Sequence, residues 1–494
     1  MSAIAYLQKT NLATLADPRL FREYAYVGGA WTAGTAQRES DVSNPADGSR
    51  LGAVPALAAA DAGAAIAAAH EAFRLWSREL PARRSQLLRR WFELIAGARA
   101  DLARLMVLEQ GKPLSEALGE IDYAASFVEF YAEEGKRLNV ESVTSHLADA
   151  AMTVTRAPCG VAGLVTPWNF PAAMLTRKAA AALAAGCTVV AHPSSQTPFS
   201  ALALAELAER AGFPAGVFNV VTGDAAEVVG AMTASPLVRV LSFTGSTGIG
   251  RLLYAQSAPT VKRLVMELGG HAPFIAFADC AVDRAVERAI SAKFATSGQD
   301  CLAANRFYIE RPLYERFVAA FAERTRRLAV GDGMGDPDIG PLIDERALAK
   351  QKEHVADALA RGARLVCGGG VHEAGPLFFE PTVLADVPED AAIFREETFG
   401  PVAAFAPFDS EEEVLDKANA TETGLVAYLH TSDEARIARM GAALEFGMVA
   451  VNRTKITGAP IPFGGVKQAG LGREGSRHGM EAYTDLKYVC RDIA

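Results

Sequence analysis

The chain has 494 residues, which is too long for one hydrophobic core and predicts two or three structural units. Half of the residues are hydrophobic and 22% are charged, a composition typical of an ordinary globular protein. The formal net charge of −9 excludes the basic surface that nucleic acid requires and a polybasic membrane patch. We therefore expect neither nucleic acid nor a membrane among the partners.

The cysteines and histidines exclude two further classes of protein. Six cysteines lie far apart without CxxC spacing, which argues against a disulfide scaffold and a zinc ribbon and favours a reducing compartment. Eight histidines form no HExxH-like ligand set, so we expect no metal. Because no secretory signal and no membrane-spanning run are visible, we expect a cytoplasmic protein.

The first part of the chain predicts mainly helices. Apolar residues recur at helical spacing over 60–80, 81–110 and 113–136. Gly111 suits the C-terminal cap of the second of these helices. Residues 138–155 break the helical period, which by itself indicates a surface hairpin.

From residue 161 onward, strands and helices alternate. Apolar strands, each followed by a helical run, are predicted at 161–165, 188–191, 217–221 and 238–243. Such alternation predicts a parallel, doubly wound sheet with helices on both faces. Ligands of this architecture bind beyond the carboxyl ends of the strands, so we expect functional residues there.

A second α/β series follows the first. Strands are predicted at 273–276 and 307–309, and a helix at 313–329. This series indicates a separate domain. The last stretch, 483–489, alternates like a strand and could pair with the region 138–157 or with the edge of a neighbouring subunit.

Four short stretches carry candidate chemistry. Cys301 follows a glycine at the end of an alanine-rich helical run, where a thiol can be partly exposed and ionised. Glu267 places a carboxylate at the end of an apolar strand, before two glycines. Asn169 offers an amide donor in a turn, and Glu397 with Phe399 precedes a tight Gly-Pro turn. A lone cysteine is more often a small core residue, so the interpretation of Cys301 as a nucleophile depends on the other three stretches.

In this order and spacing the four stretches resemble the aldehyde dehydrogenase superfamily, and the resemblance covers nearly the whole chain. It implies an α/β fold with two doubly wound parallel-sheet domains and a small β oligomerisation arm. The implied dinucleotide-binding domain comprises residues 1–137 and 158–267, the catalytic domain 268–456, and the arm 138–157 and 477–494. The resemblance also implies a homodimer or homotetramer, which such an arm permits.

The same resemblance implies a cofactor site for NAD or NADP. Gly245 and Ser246 open a glycine-rich loop after a strand, where backbone N–H groups and a helix N-terminus hold phosphate. Glu397 would bond the nicotinamide ribose, and Phe399 would pack on the nicotinamide ring. The other residues that the resemblance assigns to this site are Thr166, Pro167, Trp168, Gly223, Phe243 and Leu268.

Two positions of the implied cofactor site depart from the family pattern. Where the family usually carries Lys-Pro-x-Glu after the second strand, this chain has His192 and Ser195. The absence of an acid at Ser195 favours NADP, whereas the absence of a lysine at His192 removes a cation that would hold its 2′-phosphate. We therefore predict use of both cofactors without a ranking. A neutral contact from His192 to the ribose side is an equally open interpretation.

The implied chemistry is the oxidation of an aldehyde to a carboxylic acid. Cys301 would add to the aldehyde, and the resulting thiohemiacetal oxyanion expels hydride and leaves a thioester. Asn169 and the Cys301 backbone N–H would hold the oxyanion. Glu267 would act as the general base for hydrolysis. Lys178 and Glu474 match a proton relay proposed for the family, although a structural salt bridge is the interpretation that we favour.

Several stretches resemble bacterial succinate-semialdehyde dehydrogenases, in which two arginines and a serine hold the substrate carboxylate. Arg177 matches the first arginine, Ala295 replaces the second, and Thr457 keeps the hydroxyl. Lys455 could supply a replacement cation or be a solvated loop lysine. We predict an ω-acid semialdehyde as the substrate, with a neutral aliphatic or aromatic aldehyde as the alternative. A non-enzymatic structural protein is the remote alternative, because it would have no reason to keep the catalytic and cofactor residues.

Overall fold

The computed structural model describes residues 15–138 and 141–493. Residues 1–14, 139–140 and 494 lie outside the described residues. The predictions that fall on them concern the start of the cofactor domain, where no secretory signal is expected, and parts of the oligomerisation arm. The described chain is organised around two large, mainly parallel β-sheets and a smaller three-stranded sheet. Within it, none of the helices is long and apolar enough to cross a membrane.

The first large sheet has parallel strands at its centre, and the strands that it contains are β1 (Ala25–Val27), β2 (Ala30–Thr32), β7 (Val161–Val165), β8 (Thr188–His192), β9 (Phe218–Val220), β10 (Val238–Thr244), β11 (Arg263–Glu267) and β21 (Gly470–Leu471). They lie in the order β2-β1-β9-β8-β7-β10-β11-β21. The neighbours from β9 to β11 are parallel, and β1, β2 and β21 join at the edges as antiparallel strands. This topology confirms the predicted doubly wound parallel sheet.

Helices pack around this first sheet, and they are α1 (Ala59–Trp76), α2 (Pro81–Gly97), α3 (Arg99–Gln110), α4 (Leu114–Glu134), α5 (Pro171–Ala185), α6 (Pro198–Ala211), α7 (Ala225–Ala234) and α8 (Thr247–Ser257). The prediction of one helix over 81–110 is wrong, because the backbone at Ala98 leaves the helical region with φ −94° and ψ 9°. Gly111 ends α3 with a φ of +92°, as its cap position predicts. Helix α5 is buried along its whole length, and its many alanines let neighbouring elements pack closely around it.

The second large sheet contains β12 (Ala272–Ala276), β13 (Ala304–Glu310), β14 (Arg364–Cys367), β15 (Thr382–Ala385), β16 (Val402–Phe408), β18 (Val426–His430) and β19 (Met448–Val451). Its order is β14-β15-β16-β13-β12-β18-β19, with β14 antiparallel and the other neighbours parallel. The rings of Phe274, Phe307 and Phe405 form part of its core, with Phe307 stacked on Phe405 and tilted against Phe274. Its helices are α9 (Val282–Phe294), α10 (Tyr314–Thr325), α11 (Glu345–Ala360), α12 (Ala392–Arg395), α13 (Glu411–Asn419) and α14 (Glu434–Ala443).

The smaller three-stranded sheet joins the end of the chain to the predicted arm. It consists of β5 (Glu141–Val143), β6 (Ala150–Pro158) and β22 (Thr484–Asp492), and β22 pairs antiparallel with β6 over its whole length. Just before β22, residues 477–483 form a 3-10 helix whose Met480 and Tyr483 are buried in the core of the first sheet. The two short strand pairs are β3 (Glu39–Ser43) with β4 (Arg50–Pro55) and β17 (Thr423–Gly424) with β20 (Val466–Lys467).

Candidate active site

A cavity of about 760 Å³ lies where the central strands of the first sheet end. Its wall includes the segments that directly follow β7, β10 and β11, as expected for the ligand site of a parallel sheet. The segment between α9 and β13 and parts of α4 and α5 also contribute. The predicted site residues that line this cavity are Pro167, Trp168, Asn169, Arg177, Gly245, Ser246, Glu267, Leu268, Cys301, Glu397, Phe399, Lys455 and Thr457.

The turn that presents Cys301 has an unusual backbone. After α9, Thr296 and Ser297 take φ values of 51° and 57°, and Gly298 takes 72°. Left-handed conformations of non-glycine residues are strained and persist only where the surroundings hold them. A Cβ at position 298 would lie 2.3 Å from the carbonyl oxygen of Gly400, so this position requires glycine.

Hydrogen bonds from the segment before α11 fix this turn. The Ser297 hydroxyl accepts the Gly340 N–H at 2.9 Å and donates to the Gly340 carbonyl at 3.1 Å. The Gln299 side chain donates to the Pro341 carbonyl at 3.2 Å and accepts the Ile343 N–H at 3.0 Å. The cysteine that follows therefore has a rigid support, which a precise catalytic geometry requires.

The Cys301 thiol is partly exposed and uncharged in the free protein. Burial raises its pKa well above the ordinary value, and the nearby Asp300 and Glu397 raise it further, whereas Arg177 lowers it. This shift disfavours the ionised resting thiol that the sequence left possible. The nucleophilic thiolate forms only when a base takes the proton.

Asn169 is buried and lines the same cavity as this thiol, and hydrogen bonds fix both its side chain and its backbone. Its side-chain amide donates to the Gln299 carbonyl at 3.0 Å, which fixes one of its two N–H groups. Its backbone carbonyl accepts the Lys112 ammonium at 2.7 Å. The Lys112 ammonium also donates to Glu120 at 2.6 Å and lies over the Phe170 ring. Lys112 and Glu120 are positioning residues that no sequence motif indicated, because Lys112 lies between two predicted helices and Glu120 lies within one of them.

Glu267 ends β11 with its carboxyl group on the cavity. Its side chain is only 2% exposed, and neither carboxyl oxygen has a hydrogen-bond partner among the described residues. Burial raises the pKa of this carboxyl well above the ordinary value, and the neighbouring Glu474 raises it further. Arg177 and Lys178 oppose this shift. The carboxyl group is thus a candidate base whose charged form is costly in the free protein.

Arg177 and Lys178, adjacent on α5, share one buried acid. The Arg177 Nε donates to Glu474 at 2.7 Å, and the Lys178 ammonium donates to Glu474 and, at 3.0 Å, to the Ser242 hydroxyl. This arrangement is the structural salt bridge that the sequence favoured. The Arg177 guanidinium also lies over the Phe463 ring, 4.2 Å from its centroid.

The cofactor half of the cavity has features that suit a dinucleotide. Ser246 caps α8, so the N-terminus of this helix borders the cavity, where anions are stabilised. A Cβ at Gly269 would lie 2.8 Å from the Glu397 carboxylate, so glycine keeps that space open. Glu397 accepts the Gly270 N–H at 3.0 Å, and burial raises its pKa to about 7. The Thr244 hydroxyl borders the cavity without a partner among the described residues. This set of donors and acceptors fits NAD or NADP.

Two aromatic rings lie next to this half of the cavity. Phe399 takes a φ of +52°, a strained conformation that directs its ring edge-on to the Trp168 ring at 5.5 Å between centroids. Both rings border the cavity, so they offer apolar surface to a flat ligand.

The remaining predicted cofactor residues lie at or after the ends of strands but do not line this cavity. His192 is buried, its Nδ1 lies 3.0 Å from the Val221 carbonyl, and burial lowers its pKa, so the ring is neutral. Gly223 has a φ of +136°, and a Cβ there would come within 2.7 Å of the Leu57 backbone. Their contacts with a cofactor stay a prediction, as do those of Thr166, Ser195 and Phe243.

Two acids on the cavity wall were not indicated as site residues by any sequence motif. Asp300 directly precedes Cys301, and one of its oxygens accepts the Leu302 N–H at 3.0 Å. Glu116 on α4 accepts the Thr296 N–H at 2.8 Å. The position of Asp300 next to the cysteine was the one signal in the sequence that could have found it.

Comparison with known proteins identifies what the chain is similar to. Residues 31–489 match the profile of the aldehyde dehydrogenase family. The NADP⁺ succinate-semialdehyde dehydrogenase GabD of Escherichia coli (strain K12) is 53% identical over 96% of this chain and 99% of its own. A glutarate-semialdehyde dehydrogenase of Pseudomonas aeruginosa is 50% identical, again over 96% and 99%. The crystal structure of betaine aldehyde dehydrogenase from Staphylococcus aureus in complex with NAD⁺ superposes with a TM-score of 0.95 at 31% identity, covering 99% of this chain and 98% of that one.

Proposed function

The chain belongs to the aldehyde dehydrogenase family, and we propose that it oxidises the aldehyde of a small ω-acid semialdehyde, such as succinate semialdehyde, to a carboxylic acid with NAD or NADP. The observation that carries the substrate class is a free nitrogen of Arg177. This Nη1 atom has no hydrogen-bond partner among the described residues, the side chain is 1% exposed, and the Tyr123 hydroxyl on the same wall lies near the guanidinium. A buried guanidinium nitrogen at a cavity wall is stabilised by a carboxylate. The names of the succinate- and glutarate-semialdehyde relatives support the same class.

The same wall offers further groups to an anion. Lys455 and Thr457 are exposed to the cavity from the loop after β19. In this proposal the Lys455 ammonium and the Thr457 hydroxyl add to the contact that Arg177 makes with the substrate carboxylate. Ala295 also borders the cavity, and its small side chain leaves room there. This opening is the observation that favours a neutral aliphatic or aromatic aldehyde as the second candidate.

The proposed reaction begins at the sulfur atom. Cys301 Sγ adds to the aldehyde carbon, and the free N–H of the Asn169 amide, with the Cys301 backbone N–H, stabilises the oxyanion that forms. When bound, NAD or NADP accepts the hydride that the aldehyde carbon loses. Loss of hydride leaves a thioester on Cys301.

Glu267 supplies the proton transfers in this proposal. Its ionised form takes the thiol proton, releases that proton to solvent, and then takes a proton from the water that hydrolyses the thioester. Its carboxyl oxygens are free for both tasks, since neither bonds another described residue. Family members that transfer the acyl group to coenzyme A commonly lack this base, so its presence favours a free acid as product.

The three-stranded sheet is the proposed oligomerisation arm. It presents exposed apolar side chains on its last strand, among them Leu486, Tyr488 and Val489. Exposed apolar strands of this kind are stable when another chain covers them. We infer that the arm contacts a second copy in a homodimer or homotetramer.

A panel of aldehydes tests the proposed substrate class. We expect kcat/KM for succinate or glutarate semialdehyde to exceed that for propanal, hexanal and benzaldehyde by at least about tenfold, because only the acids satisfy Arg177. The measurement is formation of reduced cofactor, with NAD and NADP in separate series. A higher kcat/KM for the neutral aldehydes would show that the space at Ala295, and not the charge of Arg177, determines which substrate is preferred.

Replacement of Lys455 tests the proposed second cation. In Lys455→Ala we expect KM for the semialdehydes to rise by about threefold to tenfold, with a smaller change for propanal, since only the acids contact the ammonium. Lys352→Ala removes a lysine outside the cavity and is the matched control. Equal changes for acid and neutral substrates would mean that Lys455 is a solvated loop lysine.

The raised pKa of Glu267 predicts a specific dependence on pH. Because the folded-state pKa lies above the ordinary value of 4.5, the carboxyl is largely protonated at low pH and becomes a base only as pH rises. We expect kcat to increase with pH across this titration. In Glu267→Gln we expect kcat to fall by about 10²- to 10⁴-fold and this increase to disappear. An unchanged pH profile in the variant would exclude Glu267 as the base.

A further inference from the structure

Two cysteine thiols face each other where the three-stranded sheet joins the first large sheet. Cys159 directly follows β6, and Cys187 lies between the C-terminal glycine of α5 and the start of β8. Their sulfur atoms are 3.7 Å apart, although the residues are 28 positions apart in the chain. Neither thiol has a part in the proposed oxidation of the aldehyde. The pair is therefore a chemical feature that the proposed function leaves unexplained.

The backbone holds the two cysteines beside each other. Val161 of β7 pairs with Thr188 of β8, so the cysteines lie just before two neighbouring parallel strands. Neighbouring strands are about 4.8 Å apart, which is close to the separation of about 5.5 Å between the Cα atoms of a disulfide. Bond formation therefore requires rotation of the side chains and little movement of the backbone.

The segment before β22 completes this junction. The Tyr483 carbonyl accepts the Cys159 N–H at 3.1 Å and the Cys187 thiol at 3.2 Å. One backbone oxygen thus binds both cysteines, and Tyr483 itself is buried in the core of the first sheet. Oxidation of the thiols would remove only the thiol contact, which is a weak hydrogen bond, and would keep the amide contact. A disulfide therefore fits the packing of this junction.

The two thiols differ in their access to solvent. Cys159 is partly exposed and Cys187 is completely buried, so a small oxidant reaches the pair at Cys159. The hydrogen bond between the thiols raises the pKa of Cys159, so its oxidation is slower than that of an ionised thiol. Burial raises the pKa of Cys187, but hydrogen bonds from the Cys159 thiol and the backbone lower it below the ordinary value. This shift favours Cys187 as the sulfur that attacks second.

We propose that Cys159 and Cys187 are a modification site, at which hydrogen peroxide converts two thiols to a reversible disulfide. Cys159 Sγ attacks one peroxide oxygen and becomes a sulfenic acid, the O–O bond breaks, and the second oxygen leaves as water with the thiol proton. Cys187 Sγ then attacks the sulfenic sulfur, the S–S bond forms, and the sulfenic oxygen leaves as water with the Cys187 proton. The two thiols lose two electrons and two protons, and one peroxide becomes two waters.

The disulfide closes a loop around part of the candidate active site. Between the two cysteines lie β7, Asn169 and the whole of α5, which carries Arg177. A cross-link around such a loop restricts the unfolded chain and so stabilises the folded one. In a reducing compartment, which the cysteine pattern favours, disulfides of this kind are transient and respond to oxidants. The pair thus stabilises the site-bearing segment when peroxide is present.

The test uses the full chain, treated with hydrogen peroxide and digested without reductant. We expect mass spectrometry to find the peptides of Cys159 and Cys187 joined, and dithiothreitol to separate them. We also expect the melting temperature of the oxidised chain to rise by about 2–4 °C, and dithiothreitol to reverse this rise. Cys159→Ser should show neither the joined peptides nor the rise.

Two further variants and an internal reference keep the test decisive. Cys367→Ser removes a partly buried thiol of the second sheet and should form the disulfide as the wild-type chain does. Cys187→Ala should behave like Cys159→Ser, and it takes the place of that variant if Cys159→Ser does not fold. Peroxide is raised until Cys301 carries added oxygen, which shows that the oxidant has reached the thiols of the chain.

The contradicting results are equally specific. If Cys159 and Cys187 remain free thiols once Cys301 is oxidised, the modification site is excluded and both are small core residues only. Joined peptides that pair Cys159 with another cysteine would exclude it as well. A disulfide that leaves the melting temperature unchanged would contradict the stabilising effect. The readouts need no substrate, so the proposed function stands or fails independently of them.

Discussion

One buried acid, Glu474, determines the charge of the reacting end of the cavity. It comes from the segment after β21 and binds both Arg177 and Lys178 on α5. Burial lowers the pKa of Lys178 and Glu474 opposes that shift, so the positive charge of this buried cluster depends on its pairing with one acid. The same two cations oppose the raised pKa of Glu267, and Arg177 faces a substrate carboxylate in the proposed function, so binding and catalysis depend on the same cluster.

The same burial explains why the reacting groups are neutral at rest. Removing water raises the pKa of the Cys301 thiol and of the Glu267 carboxyl, since each charged form loses its hydration. A neutral thiol is less open to oxidation than a thiolate. Reactivity then arises when ligands change the local charge, and the nearby acids Asp300 and Glu397 make the site sensitive to the charge of whatever binds.

The sequence predicted the residues that follow parallel strands and missed those that hold them. Asn169, Glu267 and Ser246 could be found because the carboxyl ends of neighbouring strands meet at one edge of a sheet. The contact of Lys112 with the Asn169 carbonyl could not be found from the sequence. It joins a residue next to a helix cap with a loop residue 57 positions away. The break between α2 and α3 at Ala98 could not be found either, because the sequence there has no proline and no capping motif. The neutral state of His192 follows from its burial, which lowers the pKa of the ring, while the Val221 carbonyl 3.0 Å from Nδ1 opposes that shift.

In the proposed function, a buried, incompletely paired Arg177 selects the acid end of the substrate. The most direct test of this selection compares kcat/KM for succinate semialdehyde with that for its methyl ester, which keeps the aldehyde and the chain length and removes the charge. We expect the ester to react at least about tenfold more slowly, because a guanidinium–carboxylate contact contributes more than about 1.4 kcal/mol in such a site. Equal kcat/KM values would contradict it and would show that the Arg177 guanidinium serves only the salt bridge with Glu474.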